Sequence, residues 1–191
     1  MPTYQVHTNG ICAGEIEAGT RTIAAGSWFF PNLAASISNW PKLETALLGV
    51  FEQVNSSSLT EREIQIVLLT DAVANTSAYA VALHTELALQ QGVNPEEVPA
   101  IRGRRTPKDQ RYAALSTLAK ALIEKRGHLS EPELDAFLGT GFTKEQIIEV
   151  IAVVAASTIT NYAGTIANPL LETKFRPARM RMEDPGIVAM K

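Results

Sequence analysis

The sequence predicts an all-α single domain, and three observations favour this fold class. Helix-start signals recur along the chain, apolar residues between them are spaced three and four apart, and no segment shows the sustained two-residue alternation of a strand. The chain has 191 residues, which is about one domain in length. Hydrophobic residues make up 46% of the chain and charged residues 19%, and this composition excludes disorder over most of the length.

Capping boxes mark the predicted helix starts. In each box a short polar side chain accepts a hydrogen bond from an early backbone N–H, and an acid or amide three residues later reaches back. Such boxes or their close relatives begin at Thr60, Asn94, Ser130 and Thr143. Thr106 followed by Pro107 adds a fifth start, because proline is tolerated in the first helical turn. Gly92 and Gly127 stand where helices are expected to end.

Apolar residues at helical spacing fill the intervals between these signals. Residues 64–72, 79–91 and 115–122 each carry such a stripe, and residues 150–171 contain no Asp, Glu, Lys or Arg. The dense apolar part of this uncharged stretch is about half of the ~20 residues that a membrane span needs. We therefore interpret it as a buried helix and predict no membrane interaction.

A helical domain is predicted at residues 28–175, between an irregular N-terminal arm at 1–27 and an irregular tail at 176–191. The N-terminus lacks a basic segment followed by an apolar stretch of signal-peptide length, so we expect a cytoplasmic protein. The chain is apolar for a soluble protein, and obligate subunit interfaces resemble a core cut in half. We expect residues 150–167 and 83–89 to contribute to such an interface.

Charge and cysteine content exclude several kinds of site. The net charge of −3 gives no global case for nucleic-acid binding. The basic loop 102–111 carries five cations and one acid, and we interpret it as a solvated linker. Cys12 is the single cysteine, so the chain has no intramolecular disulfide and no cysteine-based zinc cluster, and we predict no metal site.

The region that precedes and includes His84 resembles a known family. LTEREIQ at residues 59–65, followed by NTSAYAVALH at residues 75–84, is similar to the carboxymuconolactone decarboxylase/AhpD-like alkylhydroperoxidase superfamily. Other segments that look like this family are FPNL at 30–33, GFTKEQIIEV at 141–150, and the NY and NPL motifs within 161–170. The resemblance implies an AhpD-like helical bundle that assembles as a homo-oligomer, as a trimer or a hexamer.

The resemblance also implies roles for four residues. In the peroxidase branch one cysteine attacks the hydroperoxide, a second resolves it as a disulfide, and a Glu and a His help to activate the thiol. At the matching positions this chain has Ala80 for the attacking cysteine, Ser77 for the resolving cysteine and Gln65 for the acid. His84 alone is retained. Thiolate chemistry requires the sulfur atom, so we predict that this degenerate motif lacks thiol peroxidase activity.

Two interpretations remain open for His84, and with them whether the chain is an enzyme. In the first, His84 is the general acid/base of a cofactor-free enzyme acting on a small carboxylic acid or lactone, as the decarboxylase branch implies. Candidate cations for the substrate carboxylate are Arg62 and the group Arg102, Arg104 and Arg105. In the second, His84 is a structural histidine in a non-catalytic oligomeric protein that kept the fold and lost the redox site.

Several other polar residues lie near this motif in sequence. Ser77 is seven residues from His84, about 10 Å along a helix, which is too far for a hydrogen bond, so the serine is interpreted as a small replacement for cysteine. Asn161 is a possible second pocket residue. Asp71 and Asn75 interrupt an apolar helix and are expected to face a pocket or another subunit.

Overall fold

The structure, a computed structural model, describes Asn32, Leu33, Ile37 and residues 41–178, and those residues contain helices but no strand. The α-helices are α1 (Pro41–Asn55), α2 (Glu61–Ala74), α3 (Ala78–Gln90), α4 (Glu97–Arg102), α5 (Gln110–Glu124), α6 (Glu131–Leu138) and α7 (Lys144–Ala167). A 3-10 helix, Thr173–Ala178, follows them and extends three residues into the predicted tail. The predicted all-α fold class is confirmed. The arm at 1–27 and residues 179–191 lie outside the described residues.

Three predicted capping boxes form, with both reciprocal bonds at Thr60 and Thr143 and with the Glu133 carboxylate accepting the backbone N–H of Ser130 in the third. They begin α2, α6 and α7 at Thr60, Ser130 and Thr143, with Glu63, Glu133 and Gln146 as the third residue of each helix. The predicted helix ends are also confirmed. Gly92 and Gly127, which follow α3 and α5, have φ angles of +80° and +79°, a conformation that glycine adopts without steric cost.

The two helices predicted to start at Asn94 and Thr106 begin later, at Glu97 and Gln110. Buried Glu97 accounts for the later start of the second helix. Asn94 accepts from the backbone N–H of Glu96 at 3.0 Å, which makes a turn, and α4 begins only at Glu97. The carboxylate of Glu97 then accepts the backbone N–H groups of Lys108 and Asp109 at 2.7 and 3.1 Å. This holds residues 106–109 out of a helix, so α5 begins after Asp109, whose side chain caps it through the N–H of Tyr112.

Helix α2 is the central element of the described bundle. It packs against α3, α5 and α7 and also contacts α4. Residues 63–73 of α2 are buried without interruption, so the helix has no solvent face along that stretch. A helix surrounded in this way is expected to be apolar all round. Helix α2 nevertheless buries four polar side chains, and these are the basis of the site described below.

A smaller apolar cluster lies where the ends of the described chain meet α3. Leu33, Tyr79, Leu83 and Phe175 form it. The hydroxyl of Tyr79 donates to the carboxylate of Glu172 at 2.8 Å, and the backbone N–H of Asn32 donates to the same carboxylate at 3.2 Å. Burial and the neighbouring Glu172 carboxylate raise the pKa of Tyr79. The 3-10 helix is thereby fastened against the helix that carries His84.

Helix α7 is buried on one side only. The side chains of Val150, Val153 and Asn161 are buried. On the other side of the helix, Ile148 and Ile166 are 65% and 60% exposed. By length and composition alone α7 could cross a membrane, a test that the core helix of a soluble protein also passes. Here α7 packs against α1, α2, α3 and α5.

Alanine substitutions at two glycines should change stability in opposite directions. Gly92→Ala forces an alanine into the left-handed region and brings its Cβ to 3.2 Å from Arg62 Nη2. We expect a loss of about 1 kcal/mol in the free energy of unfolding, measured by urea denaturation. Gly49→Ala is the matched control, because it lies inside α1 with nothing within 4 Å of the new Cβ. That variant should gain roughly 0.5–1 kcal/mol from helix propensity. A stabilised Gly92→Ala protein would contradict the assigned helix end.

Candidate functional site

Helices α2 and α3 bring together the four residues of the recognised motif. Gln65 lies on α2, Ser77 is the N-cap of α3, and Ala80 and His84 follow on α3. All four are at least 95% buried. The turn between the helices is short, and Thr76 takes a φ of +54° within it so that the chain reverses direction quickly.

The side chain of His84 is held by Gln65. Nδ1 of His84 lies 3.1 Å from Oε1 of Gln65. An amide oxygen only accepts hydrogen bonds, so Nδ1 of His84 is the donor in this contact. Burial lowers the pKa of His84 from its ordinary 6.5 to about 3, so the imidazole is neutral at neutral pH. A glutamate at position 65 would favour the charged imidazole, whereas glutamine does not.

Asn161 does not complete this pair but belongs to a second polar cluster, between α2 and α7. Its Nδ2 donates to Oδ2 of Asp71 at 2.6 Å. Oδ1 of Asp71 accepts from Thr158 at 3.1 Å and from Asn75 at 2.9 Å. Asp71 is thus bonded to α7 of the same chain, and the side chain of Asn75 is bonded to Asp71. The hydrogen-bond donors to Asp71 lie 4 to 90 residues away from it in sequence.

Asp71 is a buried carboxyl group with an unusual acidity. Burial raises its pKa from 3.8 to about 6, against the opposing effect of its four hydrogen-bond donors, which include Ser157. Oδ1 of Asn161 is buried without a hydrogen-bond partner. A protonated Asp71 could donate to that oxygen after rotation of the Asn161 amide, so the cluster accommodates the neutral acid as well as the carboxylate.

The arginines predicted to bind a substrate carboxylate form hydrogen bonds in different parts of the structure. Nε of Arg62 donates to the backbone oxygen of Gln91 at 2.8 Å. Arg104 donates to the backbone oxygen of Val73, also at 2.8 Å. Arg102 alone among these three reaches α3, where Nη1 donates to Thr85 at 3.2 Å and to the backbone oxygen of Ala178 at 2.7 Å. No group of three His, Cys, Asp or Glu side chains within the described ranges could hold a metal ion.

Solved structures share this architecture. A cysteine-to-alanine variant of the debrominase Bmp8, in complex with 2,3,4-tribromopyrrole, has 20% sequence identity and a TM-score of 0.77, with 93% of this chain and 96% of that chain covered. An alkylhydroperoxidase AhpD-core, peroxidase-related protein from Ralstonia eutropha has 17% identity and a TM-score of 0.79, covering 90% and 93%. A peroxidase-related protein from a Silicibacter species has 14% identity and a TM-score of 0.77, covering 91% and 94%.

The family model of the carboxymuconolactone decarboxylase family matches residues 41–122. This segment contains α1 to α5 up to residue 122 and all four motif positions. The family match over residues 41–122, together with the shared fold, supports membership of the carboxymuconolactone decarboxylase/AhpD-like superfamily. No functionally curated protein gives a significant match to the sequence. At the identities above, the solved structures show the fold of this chain and not its reaction.

Sequence reasoning identified Gln65 and His84 as site positions through the family resemblance, did not predict their contact, and missed the importance of Asp71. The signal for Asp71 was present, as a charged residue inside an apolar helical stripe. Its neighbours could not be foreseen, because Thr158 and Asn161 come from a helix more than 80 residues further along the chain. The buried carboxyl group is therefore a finding of the structure.

Replacing Asp71 should remove a pH-dependent loss of folding stability. Because the folded pKa of Asp71 is raised, its contribution to stability is present below pH 3.8 and is lost as the pH rises through about 6. The shift of about two pH units corresponds to roughly 3 kcal/mol. The Asp71→Asn variant should therefore gain stability relative to wild type between pH 4 and pH 7, since the new amide can donate to Oδ1 of Asn161. Urea denaturation at both pH values measures this.

The exposed Asp135 on α6 provides the matched control for that experiment. Asp135→Asn should leave the difference from wild type nearly the same at pH 4 and pH 7. An Asp71→Asn variant that loses stability relative to wild type as the pH rises would show that the ionised carboxylate is the form the fold prefers.

Proposed function

We propose that this superfamily member is not a thiol peroxidase and that it acts on a small carboxylic acid or lactone, with His84 as the acid/base and no organic cofactor or metal. The observation that carries the proposal is the contact between His84 Nδ1 and Gln65 Oε1 at 3.1 Å, beside Ser77 and Ala80 in place of the cysteines. This arrangement keeps a histidine with a defined tautomer and supplies no sulfur.

The chemistry of position 80 supports the first part of the proposal. Ala80 lies four residues before His84 on α3, the spacing at which two side chains of one helix are neighbours. A thiol there would have a base within reach, but a methyl group has no nucleophilic atom. The single cysteine, Cys12, lies outside the described residues.

The electrostatics of His84 support the second part. A neutral imidazole with its proton on Nδ1 takes up a further proton at Nε2 when it acts as a base. Burial makes it a weak base on its own. An anionic substrate beside the ring would favour the imidazolium and raise this pKa, so proton transfer to His84 is coupled to the binding of a carboxylate. The related Bmp8 fold holds 2,3,4-tribromopyrrole, which supports a fold able to accommodate a small ring.

Installing the missing thiols tests the first part directly. The wild-type protein should not reduce cumene hydroperoxide with dithiothreitol as the electron donor. The double variant Ser77→Cys with Ala80→Cys should gain measurable turnover, because the sulfur at position 80 would then lie one helical turn from His84 and the sulfur at position 77 would be available to resolve it as a disulfide. The same double variant carrying His84→Gln is the control and should lose most of that gain. Robust hydroperoxide turnover by the wild-type chain would disprove this part of the proposal.

His84→Gln tests the acid/base role. Carboxymuconolactone is the probe, with decarboxylation followed as release of carbon dioxide and binding followed by the NMR signals of the His84 ring. We expect turnover in wild type, its loss by about 10²-fold or more in His84→Gln, and a change in the His84 signals on binding. His128, on a loop after α5, supplies a control in His128→Gln, which should keep full turnover. Turnover retained by His84→Gln would overturn the role.

A non-catalytic oligomer is the second candidate, and the exposed face of α7 favours it. Exposed apolar side chains recur along that helix at helical spacing: Ile148, Ile151, Ile159, Tyr162 and Ile166. No Asp, Glu, Lys or Arg occurs from residue 150 to residue 171, so the face lacks charges that would select a different, charged partner. We propose that a second copy of the chain covers this face. This assembly is expected whether or not the protein is an enzyme.

A charge placed on this face should separate the subunits. Ile159→Lys and Ile166→Lys, made separately, should each lower the mass measured by light scattering from that of an oligomer to that of a monomer. Burying a lysine without a partner at the interface is costly, whereas its effect on an exposed monomer surface is small. Val50→Lys, at a 40% exposed position of α1, is the control and should leave the mass unchanged. A wild-type protein that is monomeric at micromolar concentration would contradict the assembly.

A further inference from the structure

A cleft whose lining combines cationic and hydroxyl side chains with Val73, Ala74 and Ile101 lies on the opposite side of α2 from the proposed site. It has a volume of about 50 Å³ and is enclosed by α2, α5 and the loop that follows α4. Thr70 and Gln65 lie five residues apart on α2, so their side chains point about 140° apart around the helix axis. The cleft is therefore separate from the His84–Gln65 pair and is independent of the function proposed above.

Two buried hydroxyl groups form the floor of this cleft. Thr70 and Ser116 are 5% and 8% exposed, and their hydroxyl oxygens lie 2.9 Å apart. The hydroxyl of Thr70 also lies 2.8 Å from the backbone oxygen of Ile66. Each hydroxyl has one proton, so when Thr70 donates to Ile66, the Ser116 proton can point to Thr70 or turn toward a ligand in the cleft. The floor thus offers one hydrogen-bond donor.

Three cations line the walls above this floor. Arg104, Arg105 and Lys120 belong to the lining, together with the hydroxyl-bearing Thr106 and Thr117, and no Asp or Glu belongs to it. Nη2 of Arg104 is fastened to the backbone oxygen of Val73 at 2.8 Å, which fixes the guanidinium at the edge of the cleft. The backbone of Arg104 has a φ of +58°, an uncommon value for a residue with a side chain.

The ion pair that Lys120 forms neutralises little of its charge. Lys120 lies 3.9 Å from Glu124, and both side chains are about half exposed, so the pair is weak and screened. The cleft consequently has an excess of positive charge in a chain whose net charge is −3. Convergent guanidinium, ammonium and hydroxyl donors are the groups that bind oxyanions in proteins.

We propose that this cleft is a binding site for a small oxyanion, a carboxylate or a phosphate group. The cleft has room for about four water molecules. This matches an ion of four or five heavy atoms or the charged end of a larger metabolite. Arg105 and Lys120 supply the charge, Arg104 forms the fixed edge, and Ser116 donates from the floor. The interpretation of residues 102–111 as a purely solvated linker then changes for Arg104, Arg105 and Thr106.

Isothermal titration calorimetry of the full chain tests the site, with inorganic phosphate and succinate as separate probes at constant ionic strength. Saturable binding of either probe is expected, and the preferred probe identifies the phosphate or carboxylate source. The double variant Arg105→Gln with Lys120→Gln should weaken binding by about tenfold or more, because two charge-assisted hydrogen bonds are lost. Absence of saturable binding by both probes at millimolar concentration would overturn the proposal.

Two further variants separate a built site from diffuse electrostatic attraction. Lys108→Gln removes a charge from the same loop, at a side chain that is 79% exposed and paired with Glu96, and it should leave the affinity unchanged. Ser116→Ala keeps the net charge and removes only the donor on the floor, and it should weaken binding severalfold. Equal losses in Lys108→Gln and in the double variant, or no loss in Ser116→Ala, would assign the effect to general surface charge and reject the site.

Discussion

The burial of α2 on every side is the constraint on which the rest of this structure depends. A polar side chain on a fully buried helix must find a partner on a neighbouring helix, since an unpaired one costs about 1–3 kcal/mol. Glu63 pairs with Arg111 of α5, Gln65 with His84 of α3, Thr70 with Ser116 of α5, and Asp71 with Asn161 of α7. Each pairing is directional, so the four polar residues orient α2 relative to three neighbours at once, beyond what apolar packing specifies.

These pairings also place the two sites on different faces of one helix. Gln65, which holds His84, lies on α2 together with Asp71 and with Thr70 of the cationic cleft, yet each of the three faces a different neighbour. A rigid, fully packed helix is a better support for such groups than a loop, because its backbone cannot adjust to relieve a misplaced side chain. The superfamily motif is thus one part of a wider polar framework around α2.

The sequence predicted the fold class and the ends of most helices, because capping boxes and glycine stops are local signals. Residues 60–63, 130–133 and 143–146 form the expected boxes within four residues of chain. The start of α5 could not be predicted in the same way, since Glu97 decides it from 11 and 12 residues away. For the site, the family resemblance singled out Gln65 and His84, but their contact, the Asp71 cluster and the cleft at Arg104 are assembled by tertiary contacts that no local pattern encodes.

The attachment of the chain ends over α3 has a consequence for the order of folding and opening. The pairs Asn32–Glu172 and Tyr79–Glu172 join residues 140 and 93 positions apart, whereas Gln65 and His84 are 19 apart. Closing a longer loop costs more chain entropy, so the α2–α3 hairpin is expected to form first and the 3-10 helix to dock late. The part that docks late is also the part expected to open at the lowest free energy. Transient detachment of residues 170–178 would then expose the helix that carries His84 while the bundle around α2 stays folded.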